Sequence, residues 1–491
     1  MAEELYYDVT VVGAGNAALC AALAARDQGA AVAVLEKAPP SAQGGNCPYT
    51  GAGFRFTHTG LDDLKRLVPD LAGKDLSHTS MAPYSAEEFR RHLTTVTHGD
   101  TSEELMEALI AESRPTVDWM HAKGVRWELP VQGSVARAPS TIPNQVGLAA
   151  YGAGPGLVDM LTKAARRNGI QVLYETKMLK LLQGPKGEVN GLMAQDADGV
   201  HTIRAKAVVL ACGGFEANAE MRTKYLGGHW ERAKVRGARY NTGDGHRAAM
   251  EIGAAAAGQW TGCHGTPIDI NAPATGIVKI TDSQPRRSYP IGIMANVAGR
   301  RFMDEGEGFA EQTFVKAAVA VLKQERGIAY QVFDAKARPH LEERYGIAKP
   351  VEAATIRDLA TKLGVNAAAL EATVSSFNAA ARDGDYAPRT LDGKAAHGLD
   401  IPKSNWAIKL DRPPFVAYTV TGGITYTYGG LCINAKAQVL DTEDKPIRGL
   451  FAAGEIIGGI FYHNSLRSGG LMHGAVFGRL GGIGAGRMRE E

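Results

Sequence analysis

YDVTVVGAGNAALCAALAARDQGAAVAVLEK, residues 7–37, reads as a strand, a tight turn, a helix and a second strand closed by an acid. Gly13 and Gly15 let the backbone turn sharply and approach a pyrophosphate, which then meets the N-terminal amides of the following helix. Asn16 opens that helix, and Ala18 takes the third small position, where close helix packing is needed. Gly29 suits the helix C-cap, and Glu36, followed by Lys37, is placed to accept hydrogen bonds from the ribose hydroxyls of an adenosine. The order of strand, glycine turn, helix and acid predicts dinucleotide binding on a parallel α/β sheet, against the alternative of a plain structural turn.

The rest of the chain bounds the possibilities. With 491 residues, 45% hydrophobic, it has length for two or three structural units. A formal net charge of +2 and the lack of a basic block argue against a nucleic-acid or membrane-surface protein. Five scattered cysteines without a CxxC exclude a haem-attachment motif, a cysteine-held cluster and a disulfide framework, and no metal site is expected. No apolar run approaches the roughly 18 residues of a membrane span, and no signal peptide is read at the start, so a cytoplasmic location is expected.

Three further stretches identify the dinucleotide. SAQGGNCPYTGAGF (41–54) carries Gly44, Gly45 and Asn46 in a flexible loop, KAVVLACGGF (206–215) ends a β run in Gly213, and GLFAAGE (449–455) repeats the pattern with Gly454 and Glu455. Glycine turns spread over the whole chain suit a long ligand contacted from several strand ends, and favour FAD over NAD. YNTGDGHRAAMEIGA (240–254), with Asp244, and GRRFMDE (299–305) join them. With these motifs the chain resembles the fumarate reductase and succinate dehydrogenase flavoprotein family over nearly its full length. The resemblance implies a three-layer, Rossmann-type FAD-binding domain interrupted by an α+β cap: residues 1–259 and 426–491 bind FAD, and 260–425 form the capping, substrate domain. Where membrane-bound members attach FAD through a histidine, this chain has Asn46, which implies noncovalent FAD. GAGPG (152–156) is read as a glycine-rich lead-in to a helix beside the flavin, because NQVGLAAY before it does not read as a buried strand. Within the cap, 351–384 has apolar residues at helical spacing in two runs, a helix pair.

The resemblance also proposes a substrate site. His264, in WTGCHGTP, matches a histidine that contacts a substrate carboxylate, with a seam histidine as the alternative reading. Of the adjacent Arg286 and Arg287, at most one faces the site; Arg287 is chosen over a solvated surface pair. Thr425 and Tyr426 replace a histidine pair, and Tyr426 is either a donor or base, or a strand aromatic packed with Tyr428. In FYHNSLRSGGLMHGAVFGR (461–479), Arg467 matches the arginine that grips the carboxylate. Gly470 and Leu471 begin a helix whose amides can stabilise an anionic flavin edge, and Arg479 reads as structural. Tyr426 and His463 compete as the base, with Arg467 and His264 polarising the substrate. The arginine that delivers a proton in fumarate reductases falls on Phe309 here, which speaks against fumarate reduction by that route.

DEGxxF and YNTGDG resemble the tricarballylate dehydrogenase branch and the flavoprotein half of a cobalamin-pathway precorrin-3B synthase. The expectation is an FAD-dependent dehydrogenase acting on a C–C bond beside a carboxylate or ketone, tricarballylate-like first, with a separate electron acceptor. A cyclic-ketone or ketosteroid-like desaturase, and a flavin electron-transfer subunit, are the alternatives.

Overall fold

Glu4–Val12, Val32–Leu35, Gly199–Leu210 and Pro446–Ala452 each end in a largely apolar, buried run, as strands of a parallel sheet covered on both faces require. The computed structural model describes residues 4–68, 81–129 and 147–490 and shows that sheet. Glu4–Val12 lies between Val32–Leu35 and Gly199–Leu210, with Gln171–Leu173 and Pro446–Ala452 next outward, all parallel. An antiparallel hairpin, Lys177–Gln183 and Val189–Asp196, extends from Gly199–Leu210. The register aligns Val12 with Leu35 and Leu210, and Leu210 with Ala452. Gly13, Glu36, Gly213 and Gly454 therefore follow strand ends along one carboxyl edge, where ligands bind in open α/β sheets.

Two helices pack together against this sheet, Asn16–Asp27 and Gly469–Arg487. Gly478, Gly482 and Gly486 recur every four residues on the second, facing Ala17, Ala21 and Ala25 of the first. A Cβ at Gly478 or Gly482 would overlap the carbonyl oxygen of Ala17 or Ala21, so backbone meets backbone there. The glycines near the C-terminus thus have a packing reason, and Arg479, on the same helix, pairs with Glu112 at 2.9 Å as scaffold.

The helix pair of the cap is present as Ile356–Leu363 and Ala367–Ala380. A second sheet is organised around Phe415–Thr427, which pairs antiparallel with Cys263–Asp269, Ile328–Phe333 and Val351–Ala353, and parallel with Lys234–Val235. The sheet therefore draws one strand from ahead of residue 260, and its long strand runs past 425. Gly422 and Gly423 lie mid-strand because side chains there would overlap Leu322 and Ile268. GAGPG leads into the helix Ala153–Arg167, with Gly154 pressed on the Cys47 carbonyl. One expectation is corrected: Leu148–Ala150, ahead of it, is a short buried strand, held between Gly53–Phe54 and Trp127–Glu128. Only three residues pair, too few to mark a strand in sequence, and 144–146 lie outside the described residues.

Replacing Gly482 with Val should destabilise the fold by at least about 1–3 kcal/mol, the usual cost of overpacking, because the Ala21 backbone cannot swing aside. Thermal denaturation checks this; an unchanged midpoint would contradict the helix packing.

Candidate functional site

The aligned strand ends open into a long cleft with about 1480 Å³ of empty space, its open mouth included. Gly13, Gly15, Asn16, Glu36, Lys37, Gly44, Gly45, Asn46, Gly213, Asp244, Gly454, Glu455, Gly470 and Leu471 all line it. Ala18 does not; it is wholly buried in the helix interface. Gly13 has φ +105°, and a Cβ there would overlap the Ala211 carbonyl, so the turn requires glycine. The helices Asn16–Asp27 and Gly469–Arg487 begin at the cleft with no side-chain cap and no acid in their first turns. Their N-terminal amides are thus available to phosphate or to an anionic ring edge, although the Asn16 amide itself lies 3.2 Å from Cys47 Sγ. Glu36 is held by the amides of Ala14 (3.1 Å) and Ala38 (2.8 Å), and Lys37 bonds Thr242 (2.6 Å) and Asp244 (2.7 Å) across the cleft wall. His473, unassigned by the sequence reading, is buried against Phe461 and lines the cleft with an Nδ1 that has no partner among the described residues. A polar ligand would supply one. These features fit an extended dinucleotide.

Asn46 is a hub. Its Nδ2 donates to Glu216 Oε1 (2.7 Å), Thr425 O (2.9 Å) and Glu455 Oε2 (3.2 Å), and its Oδ1 accepts from the Ala238 amide (2.9 Å). Glu216, missed by the sequence reading, is fully buried; Asn241 also donates to its Oε1, at 2.6 Å. The Glu216 Oε2 meets no ordinary donor among the described residues, so the neighbouring Glu455 must donate a proton to complete it. Burial first, and then the Glu216 charge, raise Glu455 well above the ordinary carboxyl range. The pair therefore shares one proton, carried by Glu455.

At the end of the cleft formed by the cap strand, a β-bulge at His264/Gly265 sets His264 directly opposite Tyr426. Their rings stack at 5.2 Å and 6°. Ser465 lies 3.4 Å from His264 Nδ1 and is close enough to the Tyr426 hydroxyl to offset part of the effect of its burial. Burial, followed by the charges of Arg287 and Arg236, pushes His264 well below its usual range and keeps it neutral. Burial likewise raises the Tyr426 phenol, so it is a neutral donor rather than a phenolate.

Three other residues lie outside the cleft lining. His463 is exposed, stacked on His98 at 4.6 Å and paired with Asp100 at 2.8 Å, outside the cleft lining. Its φ of 59° turns the chain sharply there. Arg467 is exposed and also outside the lining; the Arg55 Nε donates to its carbonyl at 2.8 Å, and Ser468 follows at φ 61°. Arg287 faces a separate cap cavity with Phe309 and Trp406; its guanidinium lies 4.2 Å over the Phe314 ring, whose other neighbour is His264. Arg286 is structural, buried on Asp269 at 2.8 Å. Phe309 packs on Trp406 at 5.7 Å and brings no proton donor. Among the described residues no cluster of potential metal ligands occurs, and no helix is long and apolar enough to cross a membrane.

A raised carboxyl pKa means that the folded protein holds a proton the unfolded chain releases above about 4.5. This contribution to stability is complete below that pH and is lost as pH rises toward the folded value. Glu455→Gln removes it, so the variant should melt with a flatter pH profile than the wild type between about pH 5 and 8. Parallel profiles would contradict the shared proton.

The family described as FAD binding domain matches residues 8–471. A probable fumarate reductase, Ifc3, of Shewanella frigidimarina (strain NCIMB 400) is 30% identical over 488 residues, covering 96% of this chain and 74% of its own length. A 4-oxocyclohexanecarboxylate 2-dehydrogenase of Sinomonas cyclohexanicum is 28% identical over 91% of this chain and 87% of its own. The open conformation of a flavocytochrome c3 fumarate reductase superposes with a TM-score of 0.74 at 26% identity, over 99% of this chain and 79% of that one. With its FAD-shaped cleft, the chain belongs to the flavoprotein family of the fumarate reductases and succinate dehydrogenases, FAD-dependent oxidoreductases that act on CH–CH groups.

Proposed function

We propose that the protein is a dehydrogenase that removes two hydrogens across a C–C bond beside a carboxylate or ketone, with a tricarballylate-like polycarboxylate as the favoured substrate. The observation that carries this reading is the stacked Tyr426–His264 pair with Ser465 beside it, at the end of the FAD cleft, combined with a buried Phe309 at the position that would deliver a proton for reduction. Bound FAD, held noncovalently, supplies the hydride acceptor at N5. The other hydrogen leaves as a proton: the Tyr426 hydroxyl takes it while passing its own proton through Ser465 Oγ to the neutral His264 imidazole. The substrate loses one proton and one hydride and gains a double bond. Arg467, at the rim, would swing its guanidinium onto a substrate carboxylate, and Arg287, behind Phe314, holds positive charge beside His264. The cap excludes water from the transfer. A separate electron acceptor reoxidises the flavin, and the cytoplasm is the proposed location.

The second reading, oxidation of a cyclic ketone, is favoured by the relative named 4-oxocyclohexanecarboxylate 2-dehydrogenase. Under it the Tyr426 phenol would polarise the ring carbonyl.

Anaerobic mixing with tricarballylate should bleach the flavin, and Tyr426→Phe should slow bleaching by about 10²–10⁴-fold with the spectrum of bound FAD unchanged. Bleaching at the wild-type rate would remove Tyr426 from the chemistry. Failure of every carboxylate and ketone donor, with rapid reoxidation by a partner protein, would favour an electron-transfer subunit instead. Arg467→Ala should raise KM well above its effect on kcat if the guanidinium grips substrate.

A further inference from the structure

Arg236 is buried, 9% exposed, on the stretch that precedes the YNTGDG segment. Its backbone amide donates to Ile424 O at 2.7 Å, tying it to the long cap strand, and its Nη1 donates to Thr425 Oγ1 at 3.0 Å. Thr425 lines the FAD cleft beside Tyr426, and Arg236 stands directly behind it, outside the lining itself. The chain after Arg236 presses on the cofactor side as well: Gly237 lacks a side chain because a Cβ would overlap Asn46 Oδ1, and the Ala238 amide donates to that same atom. Arg236 is thus wedged between the end of the cap strand and the Asn46 hub.

Its charge is poorly compensated. The carboxylate paired with it, Asp282, is 3.8 Å away and largely exposed. Its Nε is buried without an acceptor among the described residues. The nearby charged groups are mainly cationic: Arg287 and Arg344 push Arg236 further in the direction set by burial, to about 9, and Glu342 and Glu311 act on Arg287 instead. The neutral His264 adds no negative charge. A buried guanidinium with an idle N–H and a weak, exposed counter-ion needs an anion to complete it. A neutral carbonyl would leave the charge uncompensated, whereas a carboxylate accepts from the guanidinium edge bidentately.

We infer that Arg236 is an anion-binding residue of the substrate site, so that the substrate carries a carboxylate seated at the Arg236–Thr425 end of the cleft. The inference rests on the proposed dehydrogenase reading only in taking the bound carboxylate as the substrate. It also separates the two substrate classes, since a ring ketone without a carboxylate would not satisfy Arg236.

The test is a spectral titration of the FAD-loaded protein, under anaerobic conditions, with tricarballylate, with 4-oxocyclohexanecarboxylate and with cyclohexanone. The last two share a ring ketone and differ in the carboxylate. Wild type should bind the carboxylated ring more tightly than cyclohexanone. Arg236→Gln should weaken both carboxylates by at least about tenfold and erase that preference, and Arg236→Lys, which keeps the charge but not the fork, should recover part of it. If the glutamine variant loses FAD, the lysine variant carries the test, and a carboxylate affinity within about twofold of wild type in it overturns the inference. Wild type binding cyclohexanone as tightly as its carboxylated analogue, or binding neither carboxylate, also overturns it. Bleaching is read separately: carboxylates that bind through Arg236 without reducing the flavin would sink the dehydrogenase reading and leave the anion site standing.

Discussion

The side-chain amide of Asn46 joins parts of the chain that lie far apart in sequence. Two amide protons face three acceptors, on Glu216, Thr425 and Glu455, and the amide oxygen receives Ala238, so at least one proton is shared. Such a buried network holds only when every member is present. Through it the cofactor loop, the turn after Gly199–Leu210, the C-terminal glycine turn and the last residues of the cap strand are fixed relative to one another. The Thr427 amide adds a second tie, donating to Glu455 at 2.9 Å.

From that constraint follows the placement of the chemistry. Because the cap strand ends on the cofactor hub, its neighbouring residues Thr425 and Tyr426 reach the cleft, and the bulge in the facing strand brings His264 across from Tyr426. The same fixed geometry exposes the phenol and imidazole to little water, which keeps both neutral and makes them suited to passing a proton rather than holding a charge. The Glu216–Glu455 pair, by contrast, keeps its proton at the Asn46 hub, where Glu455 belongs to the cleft lining.

What could be read from the sequence was whatever chemistry is local. The glycine fingerprint, the Glu36 acid and the glycine turns at 213 and 454 each declare themselves within a few residues, and all of those positions line the cleft. Phe309 was legible for the same reason, as a substitution inside a short motif. Arg236 and Glu216 were not, because their importance arises from partners hundreds of residues away or from the lack of one, such as the idle Arg236 Nε. His463 and Arg467 show what a linear spacing leaves out. They lie beside the right glycines, but left-handed backbone at His463 and Ser468 redirects the loop and leaves both side chains exposed. A linear spacing does not carry that reversal. Gly470 and Leu471, legible as the helix start, do line the cleft, whereas the glycines further along serve the interface with Ala17–Ala25.

A crystal structure of the FAD-loaded protein with tricarballylate would test most directly the claim that one strand end serves cofactor and substrate together. The account predicts a C–C bond of the ligand beside the Tyr426 hydroxyl, with a carboxylate toward Arg236 and Thr425 and the Asn46 network intact. Ligand seated instead in the cap cavity against Phe309 and Trp406, with the Tyr426 hydroxyl out of its reach, would contradict it.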